Sequence, residues 1–597
     1  MFPKNEICVI VIKKPKKGME QKMKHAQNSE IKSNSRAKRV TRDGNVKKKK
    51  KIIKILATLV IILFIGVISY IANDYIIMDK NKTTNLVINN KNVTSNLKKD
   101  ILIEDGEIYI SKQDLANFFD KYIYEEEETN KIITTYDKKI AAIDFENNII
   151  NINGSNKKTY AHAIKKDDTV YLPINELKDV YGIEITNIEK SKVITIDSVA
   201  REQKKAIVNG NVAVKSSTKF IAKTVDRVEK GDYVIVISED NGYTKIRTSN
   251  GKLGYIKSKK LSNTIVARQE ITESKQIEGK VNLVWDYYSQ VASAPDRTGT
   301  TIDGINVVSP AFFHLNQDGE LEENVGTKGQ AYIDWAHDQG YKVWPMVQNA
   351  GDGMLTVTSK IMNSYEKRQD LIEEIVNMCV KYKLDGINID FENMKKEDKD
   401  LYSRFIIELT PRIKEMGLVV SVDVTAPDGG DTWSLCFDRN VIGDVADYIV
   451  FMAYDEYGTS STKAGTTAGL DWVELSLKKF LETEEIDSEK IVLAIPLYTR
   501  LWVEDSSGKV ISQKAVAMKD IEKTLPDGIE KTWDDNLKQN YVEYKDASYT
   551  KKMWIEDLDS LKEKLNLVTK YKLGGVASWE KGMESDGVWE LIEEMCQ

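Results

Sequence analysis

The chain has 597 residues, with 92 Asp and Glu against 86 Lys and Arg and a formal net charge of −6, a length suited to roughly three or four domains and not to a single globule. The charge is unevenly spread: the first 51 residues hold 17 Lys and Arg against 4 Asp and Glu, net +13, so the remaining 546 carry −19. Four cysteines (Cys8, Cys379, Cys436, Cys596) and four histidines (His25, His162, His314, His337) are scattered without CxxC or Cys/His spacing, which argues against a zinc site or a disulfide framework.

Residues 1–51 read as a basic cytoplasmic tail and 52–73 as a transmembrane helix. Ile55 to Ala72 is 18 residues without a charge, about the minimum for a spanning helix. A buried core helix would show a polar stripe, and a signal peptide would have a shorter apolar run and a small-residue cleavage site; neither is clear here. Five lysines, Lys47 to Lys51, precede the run, and Asn73, Asp74 and Asp79 follow it. By the positive-inside rule the N-terminus lies in the cytoplasm and the body outside a cell membrane crossed once. The tail's expected partners are anionic lipid headgroups, with no nucleic acid.

Residues 83–200 read as a domain of short strands and helices. Glu107-Ile108-Tyr109-Ile110-Ser111 leads into a helical Lys112 to Phe119, and Thr169-Val170-Tyr171-Leu172-Pro173-Ile174 leads into Asn175 to Tyr181. This duplicated strand-then-helix unit resembles the copper amine oxidase N-terminal-like domain of bacterial surface proteins; with His162 its one histidine, no copper is implied, and a spacer role is expected. The acidic run Glu125 to Glu128 reads as solvated surface. Residues 205–262 carry five short strands closing on Gly-Lys-Leu-Gly-Tyr-Ile, which resembles a bacterial SH3 domain. That resemblance implies cell-wall peptide binding; a small linker barrel is the alternative.

From 278 to 597 strand-like and helix-like runs alternate, a βα pattern that predicts a parallel sheet. Candidate strands are 281–285, 304–309, 342–347, 386–392, 419–424, 448–454, 491–496 and 575–579, with helices at 329–339, 364–381, 401–416 and 558–571. The expected fold is a multidomain chain ending in a (β/α)8 TIM barrel with an α+β insertion between Tyr498 and Trp554, preceded by the SH3-like β-barrel, the α+β spacer and the single transmembrane helix. Cys379, on the apolar face of the helix before strand 4, belongs in the core, and Trp433, Trp472 and Trp589 read as core or rim packing.

In the run Leu384 to Asn393 (LDGINIDFEN), strand alternation puts Asn388, Asp390 and Glu392 on one face and Ile387, Ile389 and Phe391 on the other. A buried polar row needs partners or a ligand. The other strand ends in such a barrel converge on the same mouth. They supply Gln348-Asn349, Met452-Ala453-Tyr454-Asp455-Glu456, Pro496 followed by Tyr498 and Arg500, and Ser578-Trp579. Carboxylates, amides and aromatics together suit a sugar ring, and His314 lies shortly after strand 2 as a further candidate.

Asp385-Gly386-x-Asn388-x-Asp390-x-Glu392, Met452-x-Tyr454-Asp455 and Trp579 together resemble the signatures of family 18 glycoside hydrolases, in particular the branch of spore-cortex and cell-wall N-acetylglucosaminidases. The resemblance implies retaining hydrolysis in which the substrate's own acetamido group is the nucleophile. It assigns Glu392 as general acid, Asp390 as the carboxylate that orients the acetamido group and Tyr454 as its hydrogen-bond donor. Asn388, Asp455, Trp579, Tyr498 and Gln348 are the expected substrate-binding residues, and no metal or other cofactor is implied. Asn388 stands where the commoner pattern has an aspartate able to share a proton with the next one, so the proton shuttle is altered. The expected substrate is a β-1,4-linked polymer of N-acetylglucosamine, peptidoglycan ahead of chitin. A non-catalytic wall-binding scaffold is the alternative.

Overall fold

The computed structural model describes residues 49–65, 84–144, 146–271, 276–289, 292–392, 394–427 and 429–596. The chain separates into two units, Met1–Asn81 with Ile221–Thr224, and Lys82–Phe220 with Val225–Gln597. In the first, residues 49–65 are helical and their apolar side chains from Ile52 to Ile65 are exposed. No helix among the described residues is long and apolar enough to cross a membrane. Most of the basic tail, 1–48, and the rest of the expected span, 66–73, lie outside the described residues.

In the second unit, 84–200 folds as two four-stranded sheets and a five-stranded one. The two strands of the duplicated motif, Glu107–Ser111 and Thr169–Pro173, pair antiparallel, with Pro173 opposite Tyr109. The five-stranded meander from Tyr124–Glu126 to Ser155–Lys158 was not legible in advance. The seven-stranded sheet over 203–268 encloses its own small core of Val208, Val214, Val228, Val234, Ile246 and Ile256. Gly254 is required there: a Cβ would sit 2.7 Å from the Lys215 carbonyl oxygen. A buried Arg247–Asp197 pair, with one bond of 2.8 Å, ties this sheet to the preceding domain.

The C-terminal region is a closed barrel of parallel strands: β1 (Val281–Asp286), β2 (Val307–Pro310, resumed as Phe313–Leu315), β3 (Lys342–Val343, resumed as Met346–Gln348), β4 (Gly386–Asp390), β5 (Val419–Val424), β6 (Tyr448–Met452), β7 (Ile491–Pro496) and β8 (Gly575–Trp579). Val281, Leu283, Trp285, Met346, Val450, Val492, Ala494 and Ala577 fill the interior, and a larger apolar layer lies between strands and helices. Four expected strands differ from the sequence reading: β4 and β6 end two residues early, at Asp390 and Met452, β2 starts late and β3 is broken. Residues 304–306 precede β2 because Gly304, at φ +73°, lies so close to the C-terminal helix that a Cβ would be 2.6 Å from the Trp589 carbonyl oxygen. β3 breaks at Trp344-Pro345, where proline has no N–H to donate. Between β7 and β8 the expected insertion forms a separate five-stranded sheet.

The 84–200 domain is not free-standing: it packs against two barrel helices, α1 (Tyr365–Tyr382) and α2 (Lys399–Glu415). Ile133, Ile140 and Ala142 pack with Tyr365. Tyr124 donates to Glu408 at 2.8 Å and lies under the Arg404 guanidinium at 3.8 Å. The acidic run is likewise not all solvated: the half-buried Glu126 lies 3.7 Å from Arg368.

Candidate active site

The first two residues of the β4 motif are structural. Asp385 accepts from Lys342 at 3.1 Å and from the Val343 N–H at 3.1 Å and contacts His337 at 2.8 Å, pinning the start of β4 to β3. At Gly386 a Cβ would meet the Trp344 ring and the Val419 carbonyl oxygen, each at 2.7 Å. Beyond them, alternation sends Ile387 and Ile389 outward into the helix-facing core and turns Asn388 and Asp390 into the barrel.

Asn388 is fully buried and its amide orientation is fixed by its neighbours. The Trp285 indole N–H, which can only donate, reaches Asn388 Oδ1 at 2.8 Å. The Nδ2 group therefore faces β5, donating to Ser421 Oγ at 3.1 Å and to Asp423 Oδ1 at 2.7 Å. Asp390, one step nearer the mouth, accepts from Gln348 Nε2 at 3.0 Å. Burial raises its pKa, opposed by hydrogen bonds from Gln348 and Glu392. Glu392 follows the end of β4, its backbone N–H held by Asn349 Oδ1 at 3.0 Å. Its carboxyl is pushed well above the usual range, first by burial and then by the charges of Asp390 and Asp455. Burial thus does more than like-charge repulsion to keep Glu392 protonated.

Beyond β6, Tyr454 lies half-buried beside this pair, its hydroxyl enclosed, and burial of that group, followed by the Glu392 charge, raises its pKa well above the ordinary value. Asp455 sits at φ +57° and is gripped by Tyr498 Oη at 2.6 Å and an Arg500 guanidinium nitrogen at 2.8 Å. The start of the insertion therefore positions an acid contributed by the neighbouring strand. Trp579, at the end of β8, packs edge-on against Trp285 and tilted against Tyr287, both at 5.7 Å between ring centres.

The structure brings Asp390, Glu392, Tyr454, Asp455, Tyr498, Gln348 and Trp579 to the C-terminal end of the barrel, with Asn388 one step deeper. His314 is paired instead with Glu322, at 3.3 Å across a short hairpin. Sequence reasoning missed Trp285, which orients Asn388, and Asp423, which receives the amide's N–H. The signal for Asp423 was present: in Val-Val-Ser-Val-Asp-Val the two polar residues alternate and face the polar row of β4. It also missed Glu580, whose carboxyl is pushed up to about 7 by burial and then by the charge of Asp286. Among the described residues no group of three or more His, Cys, Asp or Glu is arranged to hold a metal ion.

Residues 283–584 match the family described as Glycosyl hydrolases family 18, and residues 72–196 match the Copper amine oxidase N-terminal domain. Among curated proteins the chain is similar to the uncharacterized glycosylase YvbX of Bacillus subtilis, 26% identical over 302 residues that cover 49% of this chain and 84% of that one. It is also similar to the cortical fragment-lytic enzyme of Bacillus subtilis, 24% identical over 245 residues, 39% of this chain and 55% of that enzyme. Among solved structures, a chitinase from Chromobacterium violaceum aligns with a TM-score of 0.46 at 22% identity, covering 53% of this chain and 99% of that one.

Proposed function

The chain belongs to glycosyl hydrolases family 18, and from that premise we propose that it cleaves β-1,4 bonds next to N-acetylglucosamine in peptidoglycan by acetamido-assisted retaining hydrolysis. The observation that carries this reading is the buried Asp390–Glu392 carboxyl pair at the end of β4, in which burial and neighbouring charge hold Glu392 protonated. A protonated acid there donates to the glycosidic oxygen as its bond to the anomeric carbon breaks. The substrate's acetamido oxygen attacks that carbon, and Asp390 accepts from the acetamido N–H and stabilises the cationic intermediate. Tyr454 donates to the acetamido oxygen, Trp579 underlies the ring, and Asp455, oriented by Tyr498 and Arg500, contacts the sugar beside the scissile bond. Glu392, now anionic, takes a proton from the incoming water and returns to its starting state.

Peptidoglycan is favoured over chitin by the similarity to a cortical fragment-lytic enzyme and by the seven-stranded sheet over 203–268, read as an SH3-like wall-peptide binder. Anchorage by one N-terminal helix, with the body outside the cell membrane, follows from the uncharged run 55–72 and the lysines before it. Hydrolysis of purified peptidoglycan and of chitin oligomers by the detergent-solubilised full chain, with new reducing ends identified by mass, tests the proposal. Release of N-acetylglucosamine reducing ends from peptidoglycan is expected, and Glu392→Gln should lower the rate by at least about 10²-fold. Binding without release by both proteins would instead identify a scaffold, and release from chitin alone a chitinase.

A further inference from the structure

Charge and exposure single out the seven-stranded sheet. Residues 203–268 hold 14 Lys and Arg against 5 Asp and Glu, net +9, whereas 278–597 hold 35 against 58, net −23. So basic a module beside so acidic a barrel is the electrostatic mark of an anionic partner. The loop 216–223, between the strands Val212–Lys215 and Thr224–Val228, reads Ser-Ser-Thr-Lys-Phe-Ile-Ala-Lys. Phe220 is fully exposed and Ile221 is 81% exposed, more than any other adjacent pair of large apolar side chains among the described residues. The flanking Lys219 and Lys223 are exposed as well. The foot of the loop is held in place: Asp226 accepts from Thr248 at 2.5 Å and from Asn250 at 3.2 Å.

We propose that this tip inserts into the surface of an anionic phospholipid bilayer, with Phe220 and Ile221 entering the boundary of the acyl chains and Lys219 and Lys223 among the phosphates of the headgroups. The apolar pair discriminates between anionic partners. A soluble polyanion would engage the lysines but leave Phe220 and Ile221 in water. An uncharged peptide would cover the apolar pair but make no use of nine surplus positive charges. A bilayer takes both, because apolar side chains are buried at the headgroup boundary while lysine stems snorkel and keep their charges at the phosphates. The exposed Lys257, Lys259 and Lys260 of the same module add to the attraction at longer range. A tip of two apolar residues binds reversibly and gains from any second attachment of the chain to the same bilayer, the role expected of the uncharged run 55–72. The inference does not depend on the hydrolytic reading of the barrel.

The test reads the tip within the full chain. Thr218→Cys, at an exposed position of the loop, carries a nitrobenzoxadiazole fluorophore in a Cys8→Ser background; the three other cysteines are buried. Vesicles of phosphatidylcholine alone, and of phosphatidylcholine with one-third phosphatidylglycerol, bear a nitroxide on the acyl chain that quenches a fluorophore at the membrane boundary. Quenching is expected with phosphatidylglycerol and not without it. Phe220→Ser/Ile221→Ser should lower the partition constant of the tip by at least about 10²-fold, from the apolar area lost. Lys219→Gln/Lys223→Gln should lower it by about 10- to 30-fold, the worth of two cations at an anionic surface, and molar salt should act in the same direction. These side chains are exposed, so the fold is not at stake. Flotation of the chain with the vesicles reports the N-terminal run separately, so failure of the anchor leaves the quenching result readable. Equal quenching in both lipids, or none in either, overturns the proposal. So does a label that ignores vesicles and responds to soluble peptidoglycan fragments, which would give the tip to the wall, or one that responds to inorganic polyphosphate as strongly after Phe220→Ser/Ile221→Ser as before.

Discussion

Two regions of this chain bury charge, with opposite chemical results. At the C-terminal end of the barrel, Asp390, Glu392 and Asp423 are enclosed together, none of their pKa shifts has a cation among its causes, and all three are driven toward the neutral acid. On the outer helices, Glu408 is fully buried but is held side-on by Nε and Nη2 of Arg368, at 3.1 and 3.2 Å, by Gln369 at 2.9 Å and by Tyr124 at 2.8 Å. Burial there lowers the Arg368 pKa, but the Glu408 charge outweighs it and the group stays cationic. Burial with a counter-charge fixes structure, here the seating of the 84–200 domain on α1 and α2. Burial without one stores a proton for chemistry.

The comparison breaks most visibly where one half of the paired site is removed. Arg368→Met leaves Glu408 buried without its cation, and the loss of unfolding free energy should be about 3–5 kcal/mol, measured by urea denaturation. Arg368→Met/Glu408→Met should recover most of that loss, because the uncompensated charge is then gone. Neither variant should alter the pH profile of hydrolysis; a double variant no more stable than the single one would mean that the pair, and not the stranded charge, carries the effect. A smaller change is expected from Trp285→Phe. It leaves Asn388 Oδ1 with only the 3.4 Å bond from Ser309, a loss of about 1–3 kcal/mol in stability. With the amide free to turn, kcat should fall more than KM rises, since Trp285 acts on Asn388 and Asp423 behind the reacting pair. An equal change in both would place Trp285 in sugar binding instead.

The barrel was legible because its strands are continuous apolar runs: 419–424, 491–496 and 575–579 are found with the bounds the sequence suggests. Asp390, Glu392, Tyr454 and Trp579 were legible because a polar residue at a strand end needs an explanation. The neighbours that set their chemistry were not. Trp285 reads as an ordinary core tryptophan until the fold places its N–H against an amide 103 positions away. Arg368 and Tyr124 are separated by 244 positions and look like surface residues on a helix and a strand. Their burial follows from docking between domains, and no local pattern of polar and apolar residues encodes it. The meander over 124–158 was missed for a related reason: its outer strand is acidic, and the charges that satisfy it, Lys112 for Glu125 and Arg368 of the barrel for Glu126, are distant in sequence or in another domain.

Glu580 gives the mildest test, because it lies between the two regimes. It directly follows Trp579, its Oε2 has no hydrogen-bond partner among the described residues, and its carboxyl is pushed up to about 7, first by burial and then by Asp286. Asp286 itself is neutralised by Arg297 at 2.7 and 2.9 Å, so its charge reaches Glu580 partly compensated. The folded protein therefore holds a proton on Glu580 that the unfolded chain has already released, and between the ordinary glutamate value and about pH 7 each step upward in pH lowers stability. Glutamine stands in for the protonated form at every pH. Glu580→Gln should leave Tm unchanged at pH 4 and raise it by a few degrees at pH 8, as read by calorimetry at both values. A Tm gain of equal size at pH 4 would trace the effect to packing beside Trp579, and no gain at pH 8 would mean that solvent reaches the carboxyl and that burial raises only the acids deeper in the barrel.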